Sequence, residues 1–254
     1  MDDERFIIRR KSLKTLKYKM NKSTTKEIRE RFDKDVERFS NLQTGQQSTI
    51  DAELSLELLT ESAKRINPQS VNLLDLGCGA GNYTLKMLSK IPHLNCTLID
   101  LSKPMLDKAF QRVSKETDKA ITIIQGDIRE IDLPNDQYDI ILAGAVLHHL
   151  REDEDWNFVF KKLFNSLKNG GCLMISDLIT QDTKILNNYI WERYGDYLEK
   201  NGGAEYKQKV LAYVEKEDSP RSLNYQLNLM EKAGFKNVEI LHKNICFAAY
   251  CAIK

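Results

Sequence analysis

From Val71 onward, short apolar runs alternate with segments of helical character, and this alternation constrains the fold more than any other feature of the chain. Strands separated by helices favour a parallel sheet covered on both faces, because parallel neighbours need a crossover connection of about a dozen or more residues. The pattern therefore predicts an α/β architecture. The apolar runs lie at residues 71–76, 94–100, 121–125, 138–143 and 172–179.

The C-terminal part departs from this alternation. The segment SLNYQLNLMEKAGF is typical of a helix that ends at Gly234, and two strand-like runs follow it, joined by His242 to Asn244. So short a link permits only an antiparallel hairpin. We therefore predict a doubly wound, Rossmann-like and mostly parallel sheet of seven strands that ends in an antiparallel C-terminal hairpin.

Periodicity and composition divide the chain into regions. Residues 1–22 form a basic leader, with eight Lys or Arg against three acids, and residues 23–69 show the spacing of N-terminal helices. The core is expected over residues 70–181 and 221–254. Residues 182–220 predict a helical insertion before the last helix, which would act as a lid and whose aromatic side chains are suggestive of a homodimer contact.

Composition excludes several classes of protein. The 38 Lys and Arg nearly balance the 37 Asp and Glu, so no overall charge attracts nucleic acid or a membrane. No apolar run is long enough to span a bilayer, and no secretory signal is recognisable, so we expect a cytoplasmic protein without membrane association. The five cysteines are scattered rather than arranged in C-x-x-C pairs, and we expect reduced thiols and no metal site.

The stretch LLDLGCGAG contains three alternating glycines, Gly77, Gly79 and Gly81, directly after the first apolar run. It lacks the lysine of a nucleoside triphosphate loop, and its third glycine comes one position too early for a dinucleotide fingerprint. Asp75, two residues before the first glycine, would repel a pyrophosphate and attract a cation. The loop therefore indicates a ligand with an ammonium or sulfonium group.

Two further carboxylates indicate a nucleoside. Asp100 ends the second apolar run, 19 residues after Gly81. This is the usual spacing of a carboxylate that binds both ribose hydroxyls. Asp127 follows the third run and can accept a hydrogen bond from an exocyclic amine such as that of adenine. Because the carboxyl ends of parallel strands meet at one edge of the sheet, these groups are expected to line one crevice.

The ordered motifs LLDLGCGAG, LIDLSKPML, GDI, YDIILAGAVLHHL and LKNGGCLMIS resemble those of class I S-adenosylmethionine-dependent methyltransferases over about residues 70–254. The resemblance implies S-adenosyl-L-methionine as cofactor, S-adenosyl-L-homocysteine as product, and N-terminal helices that cover the cofactor. It also implies the roles of individual residues. Asp75 and the backbone of Gly77, Cys78 and Gly79 would hold the amino-acid end of the cofactor, and Asp100 would bind the ribose. The adenine would be bound by Leu101, Met105, Asp127 and the Ile128 amide. Carbonyls near Ala143 and Gly144 would approach the methionyl ammonium.

Methyl transfer is an in-line displacement that needs alignment, exclusion of water and, for some acceptors, removal of a proton. His148 and His149 follow the fourth strand, where the acceptor is expected. On a helical turn these neighbours point about 100° apart, so only one can face the crevice. We take His148 as the candidate catalytic base.

The chain is also similar to the bacterial family that transfers a carboxymethyl group from carboxy-S-adenosylmethionine to the wobble uridine of tRNA. In that family an arginine of the insertion binds the extra carboxylate, whereas the aligned stretch YKQKVLAY offers Lys207 and Lys209. Gly144 stands where that family has an asparagine, and no tyrosine lies near Asp51 at the start of the cofactor-covering helix. These departures favour ordinary methyl transfer.

Three hypotheses follow. The first is an S-adenosylmethionine-dependent methyltransferase that acts on a small molecule. The second is a tRNA-modifying enzyme, favoured if the basic leader and Lys207, Lys209 and Lys216 form one face. The third is a non-catalytic cofactor-binding protein, in which Asp100→Ala abolishes binding while His148→Ala has no effect.

Overall fold

The structure is a computed structural model that describes residues 22–254, apart from the side chains of residues 42 and 43, so most of the basic leader lies outside the described residues. The helices are α1 (Thr25–Lys34), α2 (Val36–Ser40), α3 (Leu42–Gly45), α4 (Ala52–Ile66), α5 (Asn82–Lys90), α6 (Lys103–Val113), α7 (Asp153–Ser166), α8 (Lys184–Glu217) and α9 (Leu223–Ala233), with a short 3-10 turn at Leu147–His149. The strands are β1 (Asn72–Leu76), β2 (Asn95–Asp100), β3 (Ile121–Gln125), β4 (Tyr138–Gly144), β5 (Leu167–Leu178), β6 (Asn237–Asn244) and β7 (Phe247–Ile253).

These strands form one seven-stranded sheet in the order β3-β2-β1-β4-β5-β7-β6. Strands β1 to β5 are parallel, and β7 pairs antiparallel with both β5 and β6. The predicted Rossmann-like sheet with its C-terminal hairpin is therefore confirmed. The strand order reverses between β1 and β4, which is the place where open α/β sheets form a ligand crevice.

Apolar side chains pack on both faces of the sheet, as the continuous apolar runs require. One face buries Trp156 and Phe160 of α7 together with α9, and the other buries Leu59 of α4 and Met87 of α5. Because buried side chains pack on both faces of the sheet, the carboxyl ends of β1 to β5 are held in fixed positions relative to one another.

The N-terminal segment differs in detail from its predicted helices. Thr24 caps α1 in a capping box with Glu27, as its sequence pattern suggests. The apolar residues from Ile28 to Phe39 have the spacing of one helix face, but the chain breaks at Asp35 between α1 and α2. Asp51 occupies the N-cap position of α4 in a left-handed conformation with φ 53°.

The C-terminal hairpin turns later than predicted. His242 and Asn244 pair with β7 as part of β6, and the turn falls at Ile245 and Cys246. The predicted insertion is helical over α8, although Gly203 adopts φ 82° and ψ 177° and divides α8 into two helical segments. Within residues 22–254 no helix combines the length and the apolar character needed to cross a membrane.

Candidate functional site

The glycine loop after β1 is held in left-handed backbone conformations. Gly77, Gly79 and Gly81 have φ values of 65°, 51° and 84°, which side chains larger than hydrogen rarely tolerate. A Cβ at Gly77 would lie 2.5 Å from Val146, whereas a Cβ at Gly79 would meet no heavy atom within 4 Å. The loop is therefore packed on one side and open to the crevice at Gly79, which leaves a cradle for a ligand.

Asp100, at the end of β2, fixes this loop. Its two carboxylate oxygens accept hydrogen bonds from the Gly79 and Ser102 amides, both at 2.8 Å. Burial raises the pKa of this carboxyl group, and the two amide donors oppose that effect. Asp100 lines the crevice, so it is placed to bind the hydroxyls of a nucleoside while it shapes the loop.

Asp75 is placed differently from the other predicted carboxylates. It is buried in β1 and does not line the crevice. Its Oδ2 accepts hydrogen bonds from the Thr84 hydroxyl at 2.6 Å and the Thr84 amide at 3.2 Å. Burial raises the pKa of Asp75 to about 7, against the opposing effect of Thr84. Asp75 therefore contacts the first turn of α5, directly after the glycine loop, and does not face the crevice.

A small lobe of about 70 Å³ lies at the ends of β2 and β3. Leu101, Asp127 and Ile128, the residues that the resemblance assigns to adenine, line it. The Asp127 carboxylate accepts hydrogen bonds from the Arg129 Nε and amide, both at 3.0 Å. Although burial opposes ionisation, Arg129 holds the pKa of Asp127 below its usual range. An amine bound here would share the Asp127 carboxylate with Arg129.

A larger lobe of about 660 Å³ shares Gly77, Asp100 and His149 with the small lobe, so the two form one continuous crevice. Cys78, Met105 and Gly144 also line it, as predicted. Its outer wall comes from the N-terminal helices and α8, and it is rich in aromatic rings. The aromatic lining residues are Phe32, Phe39, Tyr83, Tyr194, Tyr206, Tyr213 and Phe247.

The end of β4 forms the floor between the glycine loop and this aromatic lobe. Gly144 packs against the Tyr83 ring so closely that a Cβ would lie 2.6 Å from it. Ala143 is fully buried and does not line the crevice. Ala145 has φ 53°, and its amide donates to the Ser176 carbonyl at 2.8 Å. The chain thus turns sharply after Gly144 and brings the 3-10 turn to the crevice wall.

His148 lies on this turn and is held by two acidic side chains. Its Nδ1 and Asp177 share a short hydrogen bond, and its amide donates to Asp177 at 3.1 Å. Its Nε2 lies 3.6 Å from Asp218 Oδ1, which lies 3.3 Å from His149 Nδ1. Burial alone would lower the pKa of His148, but Asp177 and Asp218 raise it to about 9. The Ser219 amide donates to the His148 carbonyl at 2.6 Å, and this hydrogen bond joins the segment after α8 to the 3-10 turn.

Sequence reasoning missed two acidic residues of this wall. Asp177 is the next-to-last residue of β5, so the rule that identified Asp100 at the end of its strand also points to Asp177. Asp218 carries no such signal, because it lies just after α8 and reaches the site only through tertiary packing. Both predicted histidines line the crevice, together with Asp177 and Asp218.

Comparisons with known proteins agree with this geometry. A family described as a methyltransferase domain matches residues 73–171. The carboxy-S-adenosyl-L-methionine synthase of Chromohalobacter salexigens is 31% identical over 188 residues, which cover 72% of this chain and 68% of that protein.

Several solved structures of similar fold are described as methyltransferases. Human N-acetylserotonin methyltransferase in complex with S-adenosylmethionine has a TM-score of 0.55 at 18% identity, and the match covers 82% of this chain and 53% of that one. The mitomycin 7-O-methyltransferase has a TM-score of 0.59 at 17% identity, with 91% and 61% coverage. This chain thus spans about half the length of the human enzyme. The chain belongs to the class I S-adenosylmethionine-dependent methyltransferases, and S-adenosylmethionine is its cofactor.

Proposed function

We propose that the chain transfers the methyl group of S-adenosylmethionine to a small molecule bound in the aromatic lobe. The observation that carries this proposal is the single crevice that joins the glycine loop to a lobe of about 660 Å³. A typical ligand pocket has a volume of about 300–1,000 Å³, so the lobe suits a nucleoside cofactor and a compact acceptor. The aromatic walls favour an acceptor with a flat or apolar part.

Bound S-adenosylmethionine supplies a methyl group on a positively charged sulfur. The chain's contribution is to align an acceptor atom with that group and to exclude water. The acceptor atom is expected beside the wall that carries His148 and His149, which follows β4 at the edge of the crevice. Phe32 and Tyr213 extend this wall toward the N-terminal helices and α8.

Contacts between the N-terminal segment and α8 keep the crevice closed. Arg31 of α1 donates to both carboxylate oxygens of Glu217, from Nε at 2.8 and 3.0 Å. The Tyr194 hydroxyl donates to the Ser48 carbonyl at 2.9 Å. These contacts link segments that are distant in sequence, and they join α8 to the N-terminal segment beside the larger lobe.

Replacing Tyr194 by Phe is expected to loosen this lid with little other effect. The change removes one hydrogen bond of about 1 kcal/mol and leaves the Ser48 carbonyl unpaired. Hydrogen exchange of the amides in α8 should therefore accelerate about fivefold relative to the core strands. The matched control is Tyr189→Phe on the same helix, where the side chain is 55% exposed. Equal exchange rates in the two variants would contradict a closing role for Tyr194.

The main experiment has two stages. Isothermal titration of the purified chain with S-adenosylhomocysteine should show one site per chain. Labelled S-adenosylmethionine is then incubated with the chain and with small-molecule and tRNA fractions of a cell extract. Label recovered in the small-molecule fraction supports the proposal, whereas label found in tRNA alone, or in neither fraction, contradicts it.

A second candidate follows from the name of the relative, which is a synthase of a carboxylated cofactor. Such a cofactor would need a cation in the aromatic lobe, where Arg38 and Lys209 line the wall. Arg31 also lines it, but its guanidinium is engaged by Glu217. Arg38 is paired with Asp35 at 3.3 Å, and Lys209 lacks the two-pronged geometry of arginine, so we place this function second. Mass spectrometry of the nucleoside that copurifies with the chain distinguishes the carboxylated from the ordinary cofactor.

The tRNA hypothesis receives less support from the arrangement of lysines. Lys207 pairs with Glu199 at 2.7 Å, whereas Lys209 lines the crevice. The two lysines therefore point in different directions and do not contribute to one basic face. Binding to tRNA that falls steeply with rising salt concentration would restore this hypothesis.

A further inference from the structure

The acceptor side of the crevice carries a cluster of metal-ligating side chains that the transfer of a methyl group does not by itself require. One ligand atom from each of His148, His149 and Asp218 lies within 4.8 Å of the others. All three residues line the crevice. We propose that these three residues bind one divalent transition-metal ion at the acceptor end of the site.

The separations within the cluster suit coordination better than hydrogen bonding. Asp218 Oδ1 lies 3.3 Å from His149 Nδ1 and 3.6 Å from His148 Nε2. Charge-assisted hydrogen bonds are shorter, at about 2.7–2.9 Å. Ligands about 2.0–2.2 Å from a tetrahedral metal ion are about 3.3–3.6 Å from one another. Asp218 Oδ1 therefore has the spacing of a neighbouring ligand from each imidazole nitrogen, and all three atoms lie within 4.8 Å of one another.

His149 supplies an independent observation. Its Nδ1 is buried and takes part in no hydrogen bond among the described residues. The nearby Asp218 oxygen does not satisfy it, because the contact lacks hydrogen-bond geometry. Buried polar atoms without a partner are rare and costly in native proteins. A metal ion between His149 and Asp218 would satisfy both atoms.

His148 has the outer support that metal-binding histidines usually have. Its Nδ1 is engaged by Asp177, so in the neutral ring Nε2 carries the free lone pair. Asp177 is itself fixed by the Leu178 amide at 2.7 Å. A carboxylate behind the histidine orients the ring and raises its basicity as a ligand.

The charges around the cluster also fit a dication. Asp177, Glu217 and Asp218 are acidic residues at this wall, and Arg31 is bound to Glu217. Arg31 and Glu217 cancel, and the Lys22 ammonium, which donates to the Asp218 carbonyl, offsets one further charge, which leaves one net negative charge beside two imidazoles. Two imidazole nitrogens and one carboxylate oxygen suit Zn²⁺, Fe²⁺, Co²⁺ or Mn²⁺ better than Ca²⁺, which prefers oxygen ligands alone.

Three protein ligands leave at least one position open toward the aromatic lobe. A hydroxyl group of the acceptor that binds there would release its proton to solvent more readily as it binds, because the ion stabilises the oxyanion. The oxyanion would then form the bond to the methyl carbon as the bond from that carbon to sulfur breaks and S-adenosylhomocysteine leaves. His148 would then position the ion instead of acting as the base predicted from sequence. This role for the ion rests on the proposed function, whereas the binding of the ion does not.

The test is a titration of metal-free protein with CoCl₂, followed by visible absorption. One Co²⁺ per chain is expected, with the d–d bands of a low-coordinate site and without the charge-transfer band of a thiolate ligand. His149→Ala and Asp218→Asn should each weaken binding by about 100-fold or more, and Asp177→Asn by about 10- to 100-fold. The matched control, His93→Ala, removes an exposed histidine and should bind like the wild type.

Circular dichroism and thermal unfolding are measured on every variant to verify that it is folded, because His149, Asp177 and Asp218 line the cofactor crevice. If the wild type shows no saturable Co²⁺ spectrum, shows a thiolate band, or binds no more tightly than folded His149→Ala and Asp218→Asn, the metal site is wrong. Should the variants unfold, the wild-type spectrum alone decides between these outcomes. Co²⁺ binding without transfer to a small molecule would refute the proposed function and leave the metal site intact.

Discussion

Replacing Asp100 by asparagine is expected to weaken the binding of S-adenosylhomocysteine by about 100- to 1,000-fold. The carboxylate accepts hydrogen bonds from the Gly79 and Ser102 amides, and it lines the crevice where we expect the ribose hydroxyls. Asparagine retains a single acceptor oxygen, and its NH₂ group would face one of these amide donors. Loss of about two charge-assisted hydrogen bonds amounts to roughly 3–4 kcal/mol, and each 1.4 kcal/mol is about a tenfold change in affinity.

Isothermal titration of both proteins at the same pH and ionic strength measures this effect. The matched control is Asp107→Asn on the exposed side of α6, where the carboxylate pairs with Lys103 outside the crevice. That variant should bind like the wild type. A loss of less than about tenfold in Asp100→Asn would show that the backbone of the glycine loop, and not this carboxylate, holds the nucleoside.

Replacing Asp75 by asparagine is expected to make the cofactor-free protein more stable at neutral and alkaline pH. Burial raises the pKa of Asp75 to about 7, whereas an unfolded aspartate titrates near 3.9. Between these values the folded state binds more protons than the unfolded state, so the stability contributed by Asp75 falls as pH rises. The loss is about 1.4 kcal/mol per pH unit, or roughly 4 kcal/mol over the whole window.

Urea unfolding of the wild type and of Asp75→Asn at several pH values between 4 and 8 provides the measurement. The difference in unfolding free energy should grow in favour of the asparagine variant up to about pH 7 and then level off. Asp118→Asn serves as the control, because Asp118 has a fully solvated carboxylate, with its side chain 87% exposed. A difference that stays constant with pH would mean that the carboxyl of Asp75 is ionised as easily in the folded protein as in the unfolded one.

The cofactor side of the crevice was predictable because its determinants are local. A short apolar run predicts a buried strand, and a polar residue at the carboxyl end of a parallel strand must face the common edge. Asp100 and Asp127 were found in this way. Asp75 also lies near the end of its strand, but it is buried against Thr84, whose position is set by the packing of α5 and not by the local sequence.

The acceptor side was less predictable because its determinants are distant in sequence. His148 and Asp218 become neighbours only when the end of α8 returns to the end of β4. The same limit explains the misplaced hairpin turn. His242 and Asn244 are polar, so the apolar pattern assigned them to a link, whereas backbone pairing and contacts with Asp51 keep them in β6.

The hydrogen bond between the Ser219 amide and the His148 carbonyl has a consequence for how this enzyme could diversify. Since only main-chain atoms make this link, exchanging the side chains at positions 148, 149 and 218 leaves it in place. The scaffold thus separates the part of the site that must stay constant, the nucleoside crevice, from a part that can change its chemistry residue by residue. A library randomised at these positions would sample new acceptors on an unaltered backbone.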